Sequence, residues 1–321
     1  MVQRLAKRIS IAPDVDTLPV LAVAVTLLFA VGRANAQDME PRAYSASPIG
    51  TNFLAASFTN TEGSVSLDPS LPITGLQARI NNYTLGYDRT FDLFGQSASA
   101  AILLPEMHGY LSGQVMGQNE SLSRTGVGDV KFRVAVNLIG GPAMTLAEYS
   151  QRQPTTTLGT SLTVIAPTGQ YDADRLINIG SNRWAIKPEI GLSQPLGKWF
   201  AEGYAGAWVY TDNNDYYNGH VRGQNPIYTF QFHGGYTFRP SLWLAADATH
   251  YIGGQTSING AANDNWQDVT RYGVTLSVPL GSAFSAKFAW SSWLASRNGG
   301  QYQTYGVTLQ YLWFDHVGMA R

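Results

Sequence analysis

The chain has 321 residues, of which 13% are charged and 12% aromatic, with 33 glycines, no cysteine and a formal net charge of -1. So few charges, against roughly 25% in an average soluble domain, cannot cover an ordinary cytosolic enzyme, while the many aromatics argue against a disordered chain. The near-zero net charge offers no basic surface to nucleic acid, and the missing cysteines exclude disulfide frameworks, thiolate metal sites and cysteine nucleophiles.

The first element expected is a secretory leader over 1–36. Arg4, Lys7 and Arg8 supply a positive start, Pro19 to Gly32 is apolar, and Ala34-Asn35-Ala36 gives a small-x-small cleavage pattern before Gln37. The apolar run Val20 to Val31 is too short to span a bilayer as a helix, although Asp14 and Asp16 ahead of it are atypical of a leader. The remaining 37–321 is expected to be one domain.

Along that domain the recurring period is two, over about ten residues, which is the length of a tilted membrane strand. Val130, Phe132, Val134, Val136 and Leu138 alternate with Asp129, Lys131, Arg133, Ala135 and Asn137. Trp184 to Ser193 and Thr304 to Trp313 repeat the pattern. The alternation predicts twelve strands, near 52–61, 80–92, 97–111, 128–139, 157–167, 183–194, 199–211, 227–238, 242–251, 270–280, 284–293 and 303–314. The links between them alternate long (62–79, 112–127, 168–182, 212–226, 252–269, 294–302) and short (around 92–96, 195–198, 239–241, 281–283), as extracellular loops and periplasmic turns do. The link 140–156 breaks that rule, and Ala143 to Ser150 is a candidate small periplasmic helix.

Aromatics gather near strand ends, among them Tyr83, Trp199, Tyr236, Phe238, Tyr311 and Trp313, as interfacial girdles require. The fold class expected is therefore all-β: a transmembrane antiparallel up-and-down barrel of twelve strands in the bacterial outer membrane. A soluble sandwich would share the alternation. It would not share the leader, the low charge or the girdles.

The face opposite the lipid then lines the interior. It carries Asp88, Asp129, Lys131, Arg133, Lys187, Glu189, Gln231, His233, Asp247, Arg271, Lys287 and Gln310. These charges either brace a filled interior as pairs or line a permeation path. Twelve strands lie between eight-stranded barrels that side chains fill and wide porins, so a narrow, partly obstructed pore is expected. Glu106 and His108 have ambiguous facing; turned inward, they would bring Ile102 and Leu104 with them.

Catalytic signatures are absent: there is no nucleophile elbow, zinc-protease motif or phosphate-binding loop, so neither a catalytic site nor a cofactor is predicted. The histidines at 108, 220, 233, 250 and 316 are scattered, without metal spacing. The 212–219 loop (Asp-Asn-Asn-Asp-Tyr-Tyr-Asn-Gly) is rich in oxygen ligands for calcium, but lacks the closing Glu of an EF-hand and reads equally as a hydrophilic turn. A lipid-face hydrolase built on His250 is the catalytic alternative, since the Leu242, Leu244 parity turns that histidine outward.

Several ordered stretches carry a family resemblance: Pro41-Arg-Ala-Tyr-Ser45, Pro48-Ile-Gly-Thr-Asn-Phe53, Asp68-Pro-Ser-Leu-Pro-Ile73, Ala166-Pro-Thr-Gly-Gln-Tyr-Asp172, Ile179-Gly-Ser-Asn-Arg-Trp184, Lys187-Pro-Glu-Ile-Gly191, Thr211-Asp-Asn-Asn-Asp215 and Phe238-Arg-Pro-Ser-Leu-Trp243. The chain resembles the transporter-like outer-membrane proteins grouped under the meta-pathway of phenol degradation. The resemblance implies a barrel for uptake of phenol-like or other small hydrophobic compounds, and brings no catalytic residues with it. Arg183 and Lys187 are expected to pair with Asp172 or Asp174 and pin the preceding loop.

The function expected is passive uptake of small solutes, with a structural or adhesive barrel as the alternative. The partners expected are outer-membrane lipid, the solute and the barrel-assembly machinery during biogenesis, with no nucleic acid.

Overall fold

The computed structural model describes residues 39–64, 73–115, 117–175, 177–297 and 300–315. The leader expected over 1–36 and His316 lie outside them. In chain order the elements are β1 (Thr51–Ser64), β2 (Ile73–Leu93), β3 (Gln96–Val115), β4 (Gln118–Val127), β5 (Lys131–Ile139), the helix α1 (Leu146–Gln151), β6 (Thr157–Ile165), β7 (Ala185–Leu196), β8 (Trp199–Tyr210), β9 (Asn213–Tyr216), β10 (His220–Gln224), β11 (Ile227–Arg239), β12 (Leu242–Gly253), β13 (Thr256–Ile258), β14 (Ala261–Ala262), β15 (Gln267–Pro279), β16 (Phe284–Arg297) and β17 (Gln301–Phe314).

Antiparallel pairing of sequence neighbours runs around the sheet, and β1 closes it against β17 from Thr51↔Phe314 to Ser64↔Gln301. The result is a closed twelve-strand barrel, in which β4 and β5 together make one stave. Closure satisfies every ladder that an open sheet would leave exposed in hydrocarbon.

The alternation sorts side chains as period two requires. On β5, Phe132, Val134 and Leu138 are exposed, whereas Ala135 and Asn137 are buried. On β7, Ile186, Pro188, Ile190 and Leu192 face out while Ala185, Lys187, Glu189 and Gly191 are buried. Large apolar side chains outside and charges inside is the inverse of a soluble core, and it places the barrel in the outer membrane. At the turn end, Trp199, Tyr236 and Phe238 touch ring to ring, as do Phe284, Tyr311 and Trp313, forming one girdle.

The structure departs from the expected elements chiefly at the long links, and β2 already starts at Ile73 within the expected 62–79 link. The fourth stave breaks at Gly128-Asp129-Val130, and the 112–127 stretch expected as a loop is mostly strand, because β3 runs on to Val115 and pairs with β4. The long links after β8 and β12 form a second, four-stranded sheet of β9, β10, β13 and β14 beyond the outer rim. Facing of β3 is also settled: Leu104, Glu106 and His108 are exposed, so Glu106 and His108 point away from the lumen, and His108 packs edge-on against Tyr83.

The long link 140–156 holds the expected periplasmic helix, shifted to Leu146–Gln151. It starts with a capping box. The Thr145 hydroxyl accepts from the Glu148 amide, and the Glu148 carboxylate accepts from the Thr145 amide at 2.8 Å. Those bonds from Thr145 hold the Glu148 carboxyl below its ordinary range. A lowered carboxyl pKa stabilises the helix above the unfolded pKa, and that contribution is lost as pH falls through the folded value. Amide exchange at 146–151 is therefore expected to quicken selectively below the carboxylate range. Equal protection at acid and neutral pH would show that the box contributes nothing.

Candidate functional site

Before entering β1, the chain does not lie along the outside of the barrel. Residues 39–50 form a strap inside it. The strap is tied to the turn end, where the Gly50 amide donates to the Thr90 carbonyl, Thr51 Oγ1 donates to the Pro48 carbonyl and Ser97 Oγ donates to the Ser47 carbonyl. From there it runs inward to Tyr44, Arg42 and Met39.

Arg42 docks on β8, β11 and β12. Its amide donates to Glu202 Oε2 at 2.6 Å, its guanidinium donates to Thr237 Oγ1 at 2.8 Å, and it stacks 4.6 Å from the Phe200 ring centroid and 5.4 Å from that of Trp243. Glu202 is itself bound by Ser193 Oγ at 2.7 Å and Tyr204 OH at 2.7 Å. Tyr44 is 1% exposed and donates its hydroxyl to Glu189 Oε1 at 2.9 Å, with Ser161 Oγ 3.0 Å away. A buried carboxylate with several donors around it is far cheaper to keep than a bare one.

Between strap and wall lies a cavity of about 460 Å³. Asp88, Lys131, Arg133, Lys187, Glu189, Gln231, Asp247, Lys287 and Gln310 all line it, together with strap residues and with Phe53, Leu103, Tyr204 and Trp208. The three remaining interior candidates sit elsewhere. His233 is buried behind Asp247, its Nδ1 2.7 Å from Asp247 Oδ1, and Arg271 donates to Ser291 Oγ at 2.9 Å and Thr304 Oγ1 at 3.1 Å. Asp129 lies at the outer rim.

Contacts among the interior charges run both along one strand and between neighbouring strands, as His233–Asp247 does. Lys187 and Glu189 meet at 3.0 Å along a single strand, and Gln231 on β11, two strands round the wall, donates to Glu189 Oε2 at 3.1 Å.

At the rim, Asp129 clamps the loop 166–184. Its Oδ1 accepts the Gly169 amide at 2.9 Å, and its Oδ2 accepts the Ser181 amide at 2.8 Å and the Ser181 hydroxyl at 2.5 Å. The loop is pinned, but by different residues from those expected. Asp172 pairs with Arg175 inside its own loop, Lys187 pairs with Glu189, and Arg183 donates to Gln224 and lies 4.4 Å over the Tyr210 ring. Asp129→Ala is accordingly expected to speed protease nicking of 166–184 on intact cells severalfold, through loss of three hydrogen bonds. Cleavage at the wild-type rate would remove the clamp.

The 212–219 segment is a hairpin, with Asn218 and Gly219 both at positive φ in its turn. Asn213 spends its amide on the fold: Nδ2 donates to Tyr171 OH at 2.9 Å and to the Ser181 carbonyl at 3.2 Å, and Oδ1 accepts from Asn182 at 3.0 Å. Burial pushes the Tyr171 hydroxyl up. Among the described residues no three His, Asp or Glu side chains gather at metal-binding distance. His250 faces outward as its parity predicts. Its ring meets the Thr270 hydroxyl at 3.0 Å, with the Asp268 carboxylate 3.9 Å away, so its hydroxyl partner is a threonine.

The strap, Glu202 and Tyr204 were not legible as site residues in the sequence. Pro41-Arg-Ala-Tyr-Ser45 stands out there as a motif, but nothing local says that it folds inward. The two glycines that receive Tyr44, Gly159 and Gly191, fall on the inward parity of their strands and are the one sequence signal that marks its berth.

The chain belongs to the family described as "Putative MetA-pathway of phenol degradation", which matches residues 55–311. Its fold is similar to that of an outer membrane channel from Pseudomonas putida F1, with a TM-score of 0.72 at 22% identity over 86% of this chain and 100% of that one. More distant likenesses are to the β domain of the Bordetella autotransporter BrkA (TM-score 0.52, 14% identity, 82% and 100% covered) and the transport unit of the autotransporter AIDA-I from Escherichia coli (0.53, 9%, 92% and 98%). Among curated proteins there is no match.

Proposed function

We propose that this member of the phenol-degradation family is a passive outer-membrane channel for small solutes, with phenol-like aromatics and other hydrophobic compounds as the preferred class. The observation that carries the proposal is the cavity inside the barrel. Its wall combines inward-facing apolar surface (Phe53, Leu103, Tyr204, Trp208) with convergent polar groups, the composition that suits a solute with an apolar body and a polar end. The charged and amide side chains in that wall support a permeation path, with movement down the concentration gradient.

A structural barrel without transport is the second reading, favoured by the strap that occupies the lumen. Solute flux into liposomes holding the purified protein separates the two. Flux of phenols above that of sugars of similar size, after subtraction of protein-free leak, is the expected result. Folded barrels with no flux above empty liposomes would favour the structural reading.

A further inference from the structure

The lumen holds one phenol already, and it belongs to the chain. The ring of Tyr44 sits where two glycines face each other across neighbouring strands, Gly159 on β6 and Gly191 on β7. A Cβ on Gly159 would stand 2.3 Å from Tyr44 Cδ1, and one on Gly191 would stand 2.2 Å from Tyr44 Cε2. Any larger residue at either position closes the berth. The remaining walls are those of a ring-binding site: Tyr204 packs edge-on at 5.0 Å between centroids, and the Arg133 guanidinium lies 5.4 Å from the ring. At its end, Glu189 accepts the phenolic proton at 2.9 Å and Ser161 Oγ lies 3.0 Å from the same oxygen.

From this geometry we infer that the Gly159–Gly191 socket is a binding subsite for phenols, which Tyr44 fills as a tethered occupant until a solute displaces it. The inference rests on the proposed uptake of aromatic solutes and names where one of them binds. A ring of phenol width fits where Tyr44 lies, its hydroxyl replaces the Tyr44 hydroxyl on Glu189 and Ser161, and the carboxylate rejects rings that lack a donor. Because the occupant is covalently attached to the strap, the wild-type socket is available only in the fraction of molecules whose Tyr44 has swung out, and apparent affinity falls by that fraction.

The test is calorimetric titration of the detergent-solubilised full barrel with p-cresol, the free form of the tyrosine side chain, and with toluene. Tyr44→Ala is expected to bind p-cresol about tenfold or more tightly than the wild type, since displacement no longer opposes binding. Adding Gly191→Val to Tyr44→Ala should abolish that binding, and toluene should bind the single variant markedly more weakly than p-cresol. If Tyr44→Ala does not fold, deletion of 39–46 vacates the same socket and carries the same expectations. No saturable p-cresol binding to a folded barrel with an empty socket, binding that survives Gly191→Val, or equal binding of toluene would each overturn the inference. Phenol flux without socket binding would sink the subsite and leave the channel standing; socket binding without flux would do the reverse.

Discussion

Deleting residues 39–46 is expected to raise the single-channel conductance of the reconstituted barrel severalfold while leaving the barrel folded. Twelve strands enclose a lumen wider than the eight-stranded barrels that side chains alone can fill, and here the strap takes up part of that width. Met39, Glu40, Pro41, Arg42, Ala43, Tyr44 and Ser45 all border the remaining cavity, so removing them widens the path. The barrel should survive because its hydrogen-bond ladders close without the strap, from β1–β17 through to β2–β3. The variant would expose Glu202, which loses the Arg42 amide but keeps Ser193 and Tyr204 as donors. Planar-bilayer recordings decide the matter, with heat-modifiable migration as the folding control. Conductance equal to that of the wild type would mean that the strap does not limit the pore.

Asp247→Ala is expected to destabilise the barrel by about 3 kcal/mol, the cost of removing one partner from a buried charged or hydrogen-bonded pair. Asp247 joins three strands. Its Oδ1 lies 2.7 Å from His233 Nδ1 on β11, and its Oδ2 accepts the Thr275 hydroxyl of β15 at 2.7 Å. The His233 and Asp247 side chains are 0% and 1% exposed, so losing the carboxylate leaves the buried His233 Nδ1 without this partner. Asp247→Asn keeps an acceptor oxygen and should recover part of the loss. Urea unfolding in lipid vesicles, followed by tryptophan fluorescence, reads the difference as a lower midpoint. An unchanged midpoint in the alanine variant would show that this pair braces nothing.

The sequence alone determined the barrel: fold class, strand number, which face meets lipid and which links are turns. Each of those follows from local rules. A strand buried between lipid and a polar lumen must alternate strictly, as Ile186 to Leu192 and Tyr305 to Tyr311 do, and a one-residue slip would put charges in hydrocarbon. Even the small helix in the 140–156 link could be expected, because an exception to the turn rule needs local structure to fill it.

Only the tertiary structure decided what occupies the lumen and what each inward charge does. Parity places Asp129 and Asp247 on the same kind of face, yet one clamps an outer loop and the other ties β11 and β15 to β12, because their partners lie 14 to 52 residues away along the chain. Glu106 and His108 needed the registers of β2 and β3 before their outward facing was known. The strap shows the same limit most clearly. Residues 39–50 carry no periodicity, since their surroundings change from residue to residue: Arg42 meets β8, β11 and β12, while Tyr44 meets β6, β7 and β8. A segment without a repeating environment has no repeating pattern to read. Its place is set by the closed wall around it, which does not exist until β1 meets β17.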